Sequence, residues 1–267
     1  MSIKLIALDL DGTLLNSDKV ITPRTLAAIK AAQAQGVAVT IATGRMFKGA
    51  EAFGQQFGAN APLICCNGGV VQDMGTDRPL FARYLEPAVV RRLLAFCQQH
   101  DWYVNWYIGN DILVDHYDEA FYAAYRTVPD MPFREVGTHY ADYTQGVYQC
   151  VLRDLSGKVG EKTAILHQVF PNSVVAQQNT GCSADLTPLG VHKALGLSWL
   201  ATSMELTPAE VMACGDGDND LTMLEYAGTA VVPANGLPEA QARATYHAPS
   251  NDEDGIAQAI EDLVLHA

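Results

Sequence analysis

Asp9 and Asp11 stand two residues apart in Asp9-Leu10-Asp11-Gly12-Thr13-Leu14-Leu15, directly after an apolar run over residues 3–8 that only Lys4 interrupts. A run of this kind reads as a buried β-strand. Side chains alternate along a strand, so the two carboxylates point the same way. Gly12 then lets the backbone turn sharply. Two acids and a row of backbone amides fall at the C-terminal edge of a sheet, where open α/β folds bind ligands. Close carboxylates call for a cation or a shared proton. The chemistry this suggests is a metal-assisted nucleophile with an acid/base partner beside it.

Three later segments supply what moving a phosphoryl group needs: Thr43-Gly44-Arg45, the Lys193 of Gly190-Val191-His192-Lys193, and Gly215-Asp216-Gly217-Asp218-Asn219-Asp220. Asp9 is the candidate nucleophile, because a carboxylate can accept a phosphoryl group. Asp11 would protonate the leaving oxygen and then deprotonate the attacking water. Thr43 offers a hydroxyl and Gly44 an unhindered amide for phosphate oxygens, and Lys193 a point charge for the same oxygens. Asp216 completes an oxygen-rich pocket suited to Mg²⁺. Arg45 has two readings, reaching the phosphate or pairing with a nearby acid. The acids of 215–220 do not form an EF-hand loop, since no bidentate Glu follows at the required offset. His192 reads as a surface neighbour, and His116 and His139 stand isolated.

These residues need a sheet to hold them. Thr22-Pro23 reads as an N-cap with proline at the first helical position, and Gly36 stops that helix. Residues 37–42 form a second buried strand, a short helix runs to about residue 58, and 62–66 form a third strand ending in Asn67-Gly68-Gly69. Strand, helix, strand, helix, strand with short turns implies a parallel sheet with right-handed crossovers. Residues 70–72 and 80–84 read as a hairpin leading away. From 83 to 185 the texture changes and aromatics become dense, among them Trp102, Tyr103, Trp106, Tyr107, Tyr117, Phe121, Tyr122 and Tyr125. There the pattern predicts helices over 87–100, 119–126 and 158–170, and strands over 103–107, 112–114, 146–152, 174–177 and 182–186, with Asn110-Asp111 as a turn. The first texture returns near residue 188. It predicts a helix over 192–202, a capping box in Thr207-Pro208-Ala209-Glu210, a strand over 211–214, a helix over 221–227, a strand over 230–232 and a last helix over 255–265. The expected fold is α/β: a Rossmann-like parallel-sheet core built from residues 1–82 and 186–267, interrupted by an α/β insert over 83–185.

Composition narrows the function. The chain has 267 residues, 49% hydrophobic and 18% charged, which is globular and suits one large domain or two modest ones. Its formal net charge is −13, from 17 basic and 30 acidic residues. That speaks against nucleic-acid or anionic-membrane partners, which call for a basic patch. No apolar run approaches the roughly 20 residues of a membrane span, and the N-terminus runs straight into a strand with no signal peptide. The six cysteines form no C-x-x-C pair, so reduced core thiols in a cytoplasmic protein are expected.

The four motifs together resemble those of the haloacid dehalogenase-like (HAD) hydrolases, and within them the Cof-type phosphatases. Asp9-Leu10-Asp11-Gly12-Thr13-Leu14-Leu15 matches the first motif, Thr43 the second, Lys193 the third, and Gly215 to Asp220 the fourth. Their order and spacing, with the inserted middle, extend the resemblance over essentially the whole chain. It implies a HAD fold with a C2-type cap that closes over the site and selects small phosphorylated substrates, sugar phosphates among them. It implies Mg²⁺ as cofactor, Asp9 as nucleophile and metal ligand, Asp11 as acid/base and metal ligand through its backbone carbonyl, and Asp216 as the remaining carboxylate ligand. Leu10 and Gly44 would give backbone contacts, with Thr43, Lys193 and Asn219 on the phosphate side and Asp220 steadying the metal's surroundings and Lys193. Ala194 and Ala234-Asn235-Gly236 depart from the family's usual glycine and Asn-Ala; the second would reshape a loop near the metal. Rival functions are a phosphomutase, which returns the phosphoryl group to its substrate, and a silent phosphate sensor. A nicotinamide binder is disfavoured because no G-x-G-x-x-G follows the first strand. Oligomeric state and the particular metabolite are not written in the sequence.

Overall fold

A computed structural model describes residues 2–122 and 131–266. The chain divides into two compact units, Met1–Thr76 with His192–Ala267, and Asp77–Val191.

The first unit is built on a five-stranded parallel sheet. In spatial order its strands are Tyr246–Ala248, Thr229–Pro233, Val211–Cys214, Leu5–Leu8 and Ala38–Ile41. Leu5, Ile6 and Leu8 are fully buried, as are Val211, Met212 and Cys214. Both faces of such a strand are covered, which is why these segments read as unbroken apolar runs. From the central strand the chain first winds to one side, through helix Pro23–Ala34 into Ala38–Ile41, and much later returns on the other side as Val211–Cys214. That reversal beside Leu5–Leu8 is the topological switch point at which open sheets bind ligands. The register makes it exact enough to matter: Leu8 lies opposite both Ile41 and Cys214. Asp9, Thr43 and Asp216 therefore leave the sheet within a residue or two of one another along the same edge.

Local signals hold where expected. The Thr22 hydroxyl accepts from the Thr25 amide at 3.2 Å to cap its helix. Gly58 closes helix Phe47–Phe57 in a left-handed conformation. The Thr207 and Glu210 side chains form the capping box. The expected third strand behaves differently. Among the described residues, Leu63–Cys65 joins the parallel sheet by an isolated bridge between Ala42 and Ile64 rather than by a ladder, and pairs antiparallel with Val70–Gln72. Cys66, Asn67 and Gly68 all take positive φ and turn the chain back within three residues. Positions 238–241 form a short helix, and 246–248 the edge strand; neither had a periodic pattern long enough to read. The last helix is α-helical over Gly255–Ile260 and widens to a π-helical turn over Glu261–Leu265.

The second unit carries a six-stranded sheet in the order Val174–Thr180, Ser183–Pro188, Val147–Arg153, Tyr103–Ile108, Asp111–Val114, Phe133–Glu135, antiparallel except for the last pair. Helices Pro87–Gln99 and Val159–Val169 bury Val90, Leu93, Cys97 and Leu166 among Trp106, Cys150, Leu152 and Leu186. Trp106 is buried and its indole N–H donates to the Tyr143 carbonyl at 3.0 Å. The turn between Tyr103–Ile108 and Asp111–Val114 is Gly109-Asn110, with Gly109 at φ 57°, one residue earlier than Asn110-Asp111. Of the helix expected over 119–126, Glu119–Tyr122 is helical, and the rest, with Tyr125, lies outside the described residues.

Candidate active site

Asp9 is the first residue past the central strand. Its backbone is fixed on both sides: its amide donates to the Cys214 carbonyl at 2.9 Å, and its carbonyl accepts from the Leu14 amide at 3.1 Å. Its carboxylate accepts from Lys193 Nζ at 2.6 Å, and the same ammonium donates to Asp220 at 2.5 Å. Lys193 opens helix Lys193–Ser203, which the exposed His192 caps through Nδ1, and its side chain is completely buried. The chain can bring that helix start so close because of Gly68. A Cβ at Gly68, where φ is +89°, would lie 2.2 Å from the His192 carbonyl oxygen.

Asp220 is fully engaged. One oxygen takes Lys193, and the other accepts the backbone N–H groups of Asp216 at 2.9 Å and Gly217 at 2.8 Å. This folds the Gly215–Asp220 loop back on itself and presents Asp216 towards the first motif. There the Thr13 hydroxyl donates to Asp216 at 2.6 Å. Gly12 leaves room for the approach: at φ +88°, a Cβ on it would sit 2.4 Å from an Asp216 carboxylate oxygen.

Asp9, Asp216 and Asp220 each place one carboxylate oxygen within 4.8 Å of the others. Three acids share one ammonium. Burial pushes the Asp9 carboxyl well above the ordinary aspartate range; the Lys193 charge opposes this, and the charges of Asp220 and Asp216 add to it. Burial likewise raises Asp216 to about 6, against the pull of the Thr13 hydroxyl and with the push of Asp220. Burial alone would lower Lys193, but Asp220 and then Asp9 outweigh it and hold the ammonium charged. An all-oxygen donor set with surplus negative charge fits a hard divalent cation.

Asp11 has turned elsewhere. Its carboxylate is half exposed and is gripped by Arg45, from Nε and Nη2 at 2.9 Å each, and by Lys19 Nζ at 3.0 Å. Burial works against its charge, but the Arg45 bonds followed by Lys19 bring it below the usual aspartate value. So the second reading of Arg45 holds. On the remaining side, Thr43 is buried and its carbonyl accepts from the Asn67 amide at 3.0 Å, while Asn67 accepts from Asn219 Nδ2 at 3.1 Å. Thr43, Gly44 and Asn219 thus border one stretch of the sheet edge, with Leu10 wholly buried behind it.

Sequence reasoning passed over four contributors. Thr13 lies inside the first motif and was given no role. Asn67 sits in a strand-end turn of the same kind as Thr43-Gly44. Lys19 carried no local signal. Asn235, noted only as a departure, donates from Nδ2 to the Gly12 carbonyl at 2.8 Å, and next to it the Leu237 amide donates to the Asp216 carbonyl at 2.9 Å. That loop therefore buttresses both glycine-flanked acids.

A family model described as haloacid dehalogenase-like hydrolase matches residues 6–260. The chain belongs to the haloacid dehalogenase-like hydrolases. Over 280 residues, all of both chains, it is 31% identical to a protein of Streptococcus pyogenes serotype M6 named provisionally as a phosphatase. It is 28% identical, over 100% of its own length and 98% of the relative's, to the 5-amino-6-(5-phospho-D-ribitylamino)uracil phosphatase YbjI of Escherichia coli K12. A haloacid dehalogenase-like hydrolase from Bacteroides thetaiotaomicron superposes with a TM-score of 0.89 at 29% identity, covering 98% of this chain and 99% of that one. For a haloacid dehalogenase-like hydrolase of this fold, the parallel sheet is the frame of the acidic cluster and the Asp77–Val191 unit is a separate sheet domain.

Proposed function

We propose that the chain is a Mg²⁺-dependent phosphatase of small phosphorylated metabolites, sugar and sugar-alcohol phosphates among them, working through an aspartyl-phosphate on Asp9. The observation that carries this reading is the buried Lys193 ammonium bridging Asp9 and Asp220, with Asp216 within reach of both carboxylates. A nucleophilic carboxylate must be ionised and aimed; the buried, helix-borne Lys193 fixes the direction of Asp9 and favours its charged form against the effect of burial.

Asp9 Oδ forms a bond to phosphorus as the ester P–O bond breaks, and Asp11 gives its proton to the departing alkoxide oxygen. Asp11 then takes a proton from water, whose oxygen bonds to phosphorus as the bond to Asp9 breaks. Inorganic phosphate leaves and Asp9 is regenerated. Lys193, the Thr43 hydroxyl, the Leu10 and Gly44 backbone and Asn219 hold the phosphate oxygens. Asp9, Asp216 and the Asp11 backbone carbonyl would hold Mg²⁺, which supplies positive charge to those oxygens; Asp220 acts behind them through Lys193 and the 216–217 amides. Residues 83–185 serve as the cap that selects the substrate, on the core of 1–82 and 186–267. The phosphoribityl group in the substrate of the Escherichia coli relative supports the sugar-alcohol class. Six thiols with no disulfide among the described residues, and no described helix long and apolar enough to cross a membrane, support a cytoplasmic protein. The negative charge supports small molecules rather than nucleic acid as partners.

Phosphate release from a panel of phosphorylated sugars and sugar alcohols tests the reading. EDTA should stop it and Mg²⁺ restore it. Asp9→Asn should abolish it in a protein that melts as a folded one; turnover by that variant would remove Asp9 as nucleophile.

A further inference from the structure

Three consecutive residues, Cys66, Asn67 and Gly68, stand at φ 51°, 54° and 89°. Glycine enters that region freely, and among the other residues asparagine does so most readily. A run of this kind persists only where its surroundings fix it, and such runs cluster at functional sites. Here main-chain bonds fix it to the second motif. The Thr43 amide donates to the Ile64 carbonyl at 2.9 Å, the Cys66 amide to the Arg45 carbonyl at 2.9 Å, and the Asn67 amide to the Thr43 carbonyl at 3.0 Å. Gly68 meets the third motif, against the His192 carbonyl that precedes Lys193. The Asn67 side chain, on a residue only 5% exposed, reaches the fourth: its Oδ1 accepts from Asn219 Nδ2 at 3.1 Å. The Asn219 oxygen lies beside Gly217, 3.1 Å from where a Cβ on that residue would stand.

An ionised phosphate oxygen only accepts hydrogen bonds, so Asn219 can serve it only through Nδ2. That nitrogen carries two hydrogens, of which Asn67 takes one. A flipped Asn219 amide would set its oxygen against the oxygen of Asn67, so the contact selects the orientation that keeps Nδ2 on this side. We propose that Asn67 is a positioning residue for the phosphate site, its side-chain oxygen orienting the Asn219 amide so that the second N–H is presented to a phosphate oxygen. This rests on the assignment of Asn219 to the phosphate side of the site. Asn67 acts through Asn219 and not on the substrate.

The experiment measures the Ki of inorganic phosphate against the Mg²⁺-loaded enzyme, and Tm, for the wild type, Asn67→Gly, Asn67→Ala, Asn219→Ala and the double variant Asn67→Gly/Asn219→Ala. Glycine keeps the left-handed backbone and removes only the side chain; alanine removes the same acceptor and adds backbone strain. Both are expected to raise Ki by roughly fivefold, the worth of one neutral hydrogen bond, while Tm falls further in Asn67→Ala. In the Asn219→Ala background, Asn67→Gly should leave Ki within about twofold, as two residues acting through one contact require. A rise in Ki that follows Tm, present in Asn67→Ala and absent in Asn67→Gly, would overturn the proposal, and so would a full effect of Asn67→Gly in the Asn219→Ala background. Asn219→Ala separates the two claims. If it leaves Ki unchanged, the assignment of Asn219 to the phosphate fails and takes the role of Asn67 with it; if it raises Ki and Asn67→Gly does not, that assignment stands and the role of Asn67 falls.

Discussion

Replacing Lys193 by methionine isolates the electrostatic centre of the site. Methionine keeps most of the volume in a position with no exposure, so packing is nearly conserved. What changes is charge. Asp9 and Asp220, 9% and 1% exposed at the side chain, lose an ammonium at 2.6 and 2.5 Å. Solvent screening is slight at that burial, and removing one partner of such a network costs about 3–5 kcal/mol at neutral pH. Spread over a chain this size, the loss corresponds to a fall in Tm of roughly 10 °C. Its pH dependence is the sharper signature. In the variant the Asp9 carboxyl, already raised by burial, loses the charge that opposed the rise, so protonation favours the folded state. That contribution is fully present below the ordinary 3.8 and lost as pH rises, so the deficit against wild type should shrink on acidification and widen towards neutrality. Thermal melts of both proteins from pH 4 to 8, in EDTA, measure this. A neutral-pH deficit below about 1 kcal/mol, or one that does not change with pH, would refute the claim that Lys193 is the counter-charge of a buried pair.

The remaining predictions concern metal, turn and insert. In metal-free protein Asp216 titrates near 6, above its unfolded value, so its contribution is lost as pH rises from about 4 through about 6; Mg²⁺ should raise Tm more at pH 7 than at pH 5, and an equal gain at both would contradict it. Gly12→Ala should cost on the order of 1–2 kcal/mol for the left-handed backbone and push Asp216 aside, so that Mg²⁺ affinity by calorimetry falls with it; unchanged affinity would show that the crowding is relieved elsewhere. In the insert, burial favours neutral Asp154, but Lys162 and the Ser156 hydroxyl and amide outweigh it and hold the carboxyl at about 2. Its stabilisation is present above the unfolded value near 4 and lost as pH falls through 2. Lys162 lies 5.1 Å from the Trp102 ring centroid, so Trp102 fluorescence should report that loss in acid, and Lys162→Met should move it to higher pH.

The sequence determined the elements and the chemistry. Buried parallel strands are apolar throughout, so Leu5–Leu8, Ala38–Ile41 and Val211–Cys214 were legible almost to the residue, and the polar residues closing each run had to lie on the sheet's edge. Asp9, Thr43 and Asp216 follow from that alone. What the sequence left open is every choice between partners of similar reach. Asp11 could face the cluster or turn to Arg45, and 63–65 could join the parallel sheet or turn back on 70–72. These depend on distances between segments far apart in the chain: 34 residues for Asp11 and Arg45, 203 for Thr13 and Asp216. Periodicity reports which side of an element is buried; it carries no record of what meets that side. Only the assembled sheet, with Gly12 and Gly68 allowing backbones to approach at contacts a Cβ would forbid, decides which acid receives which cation.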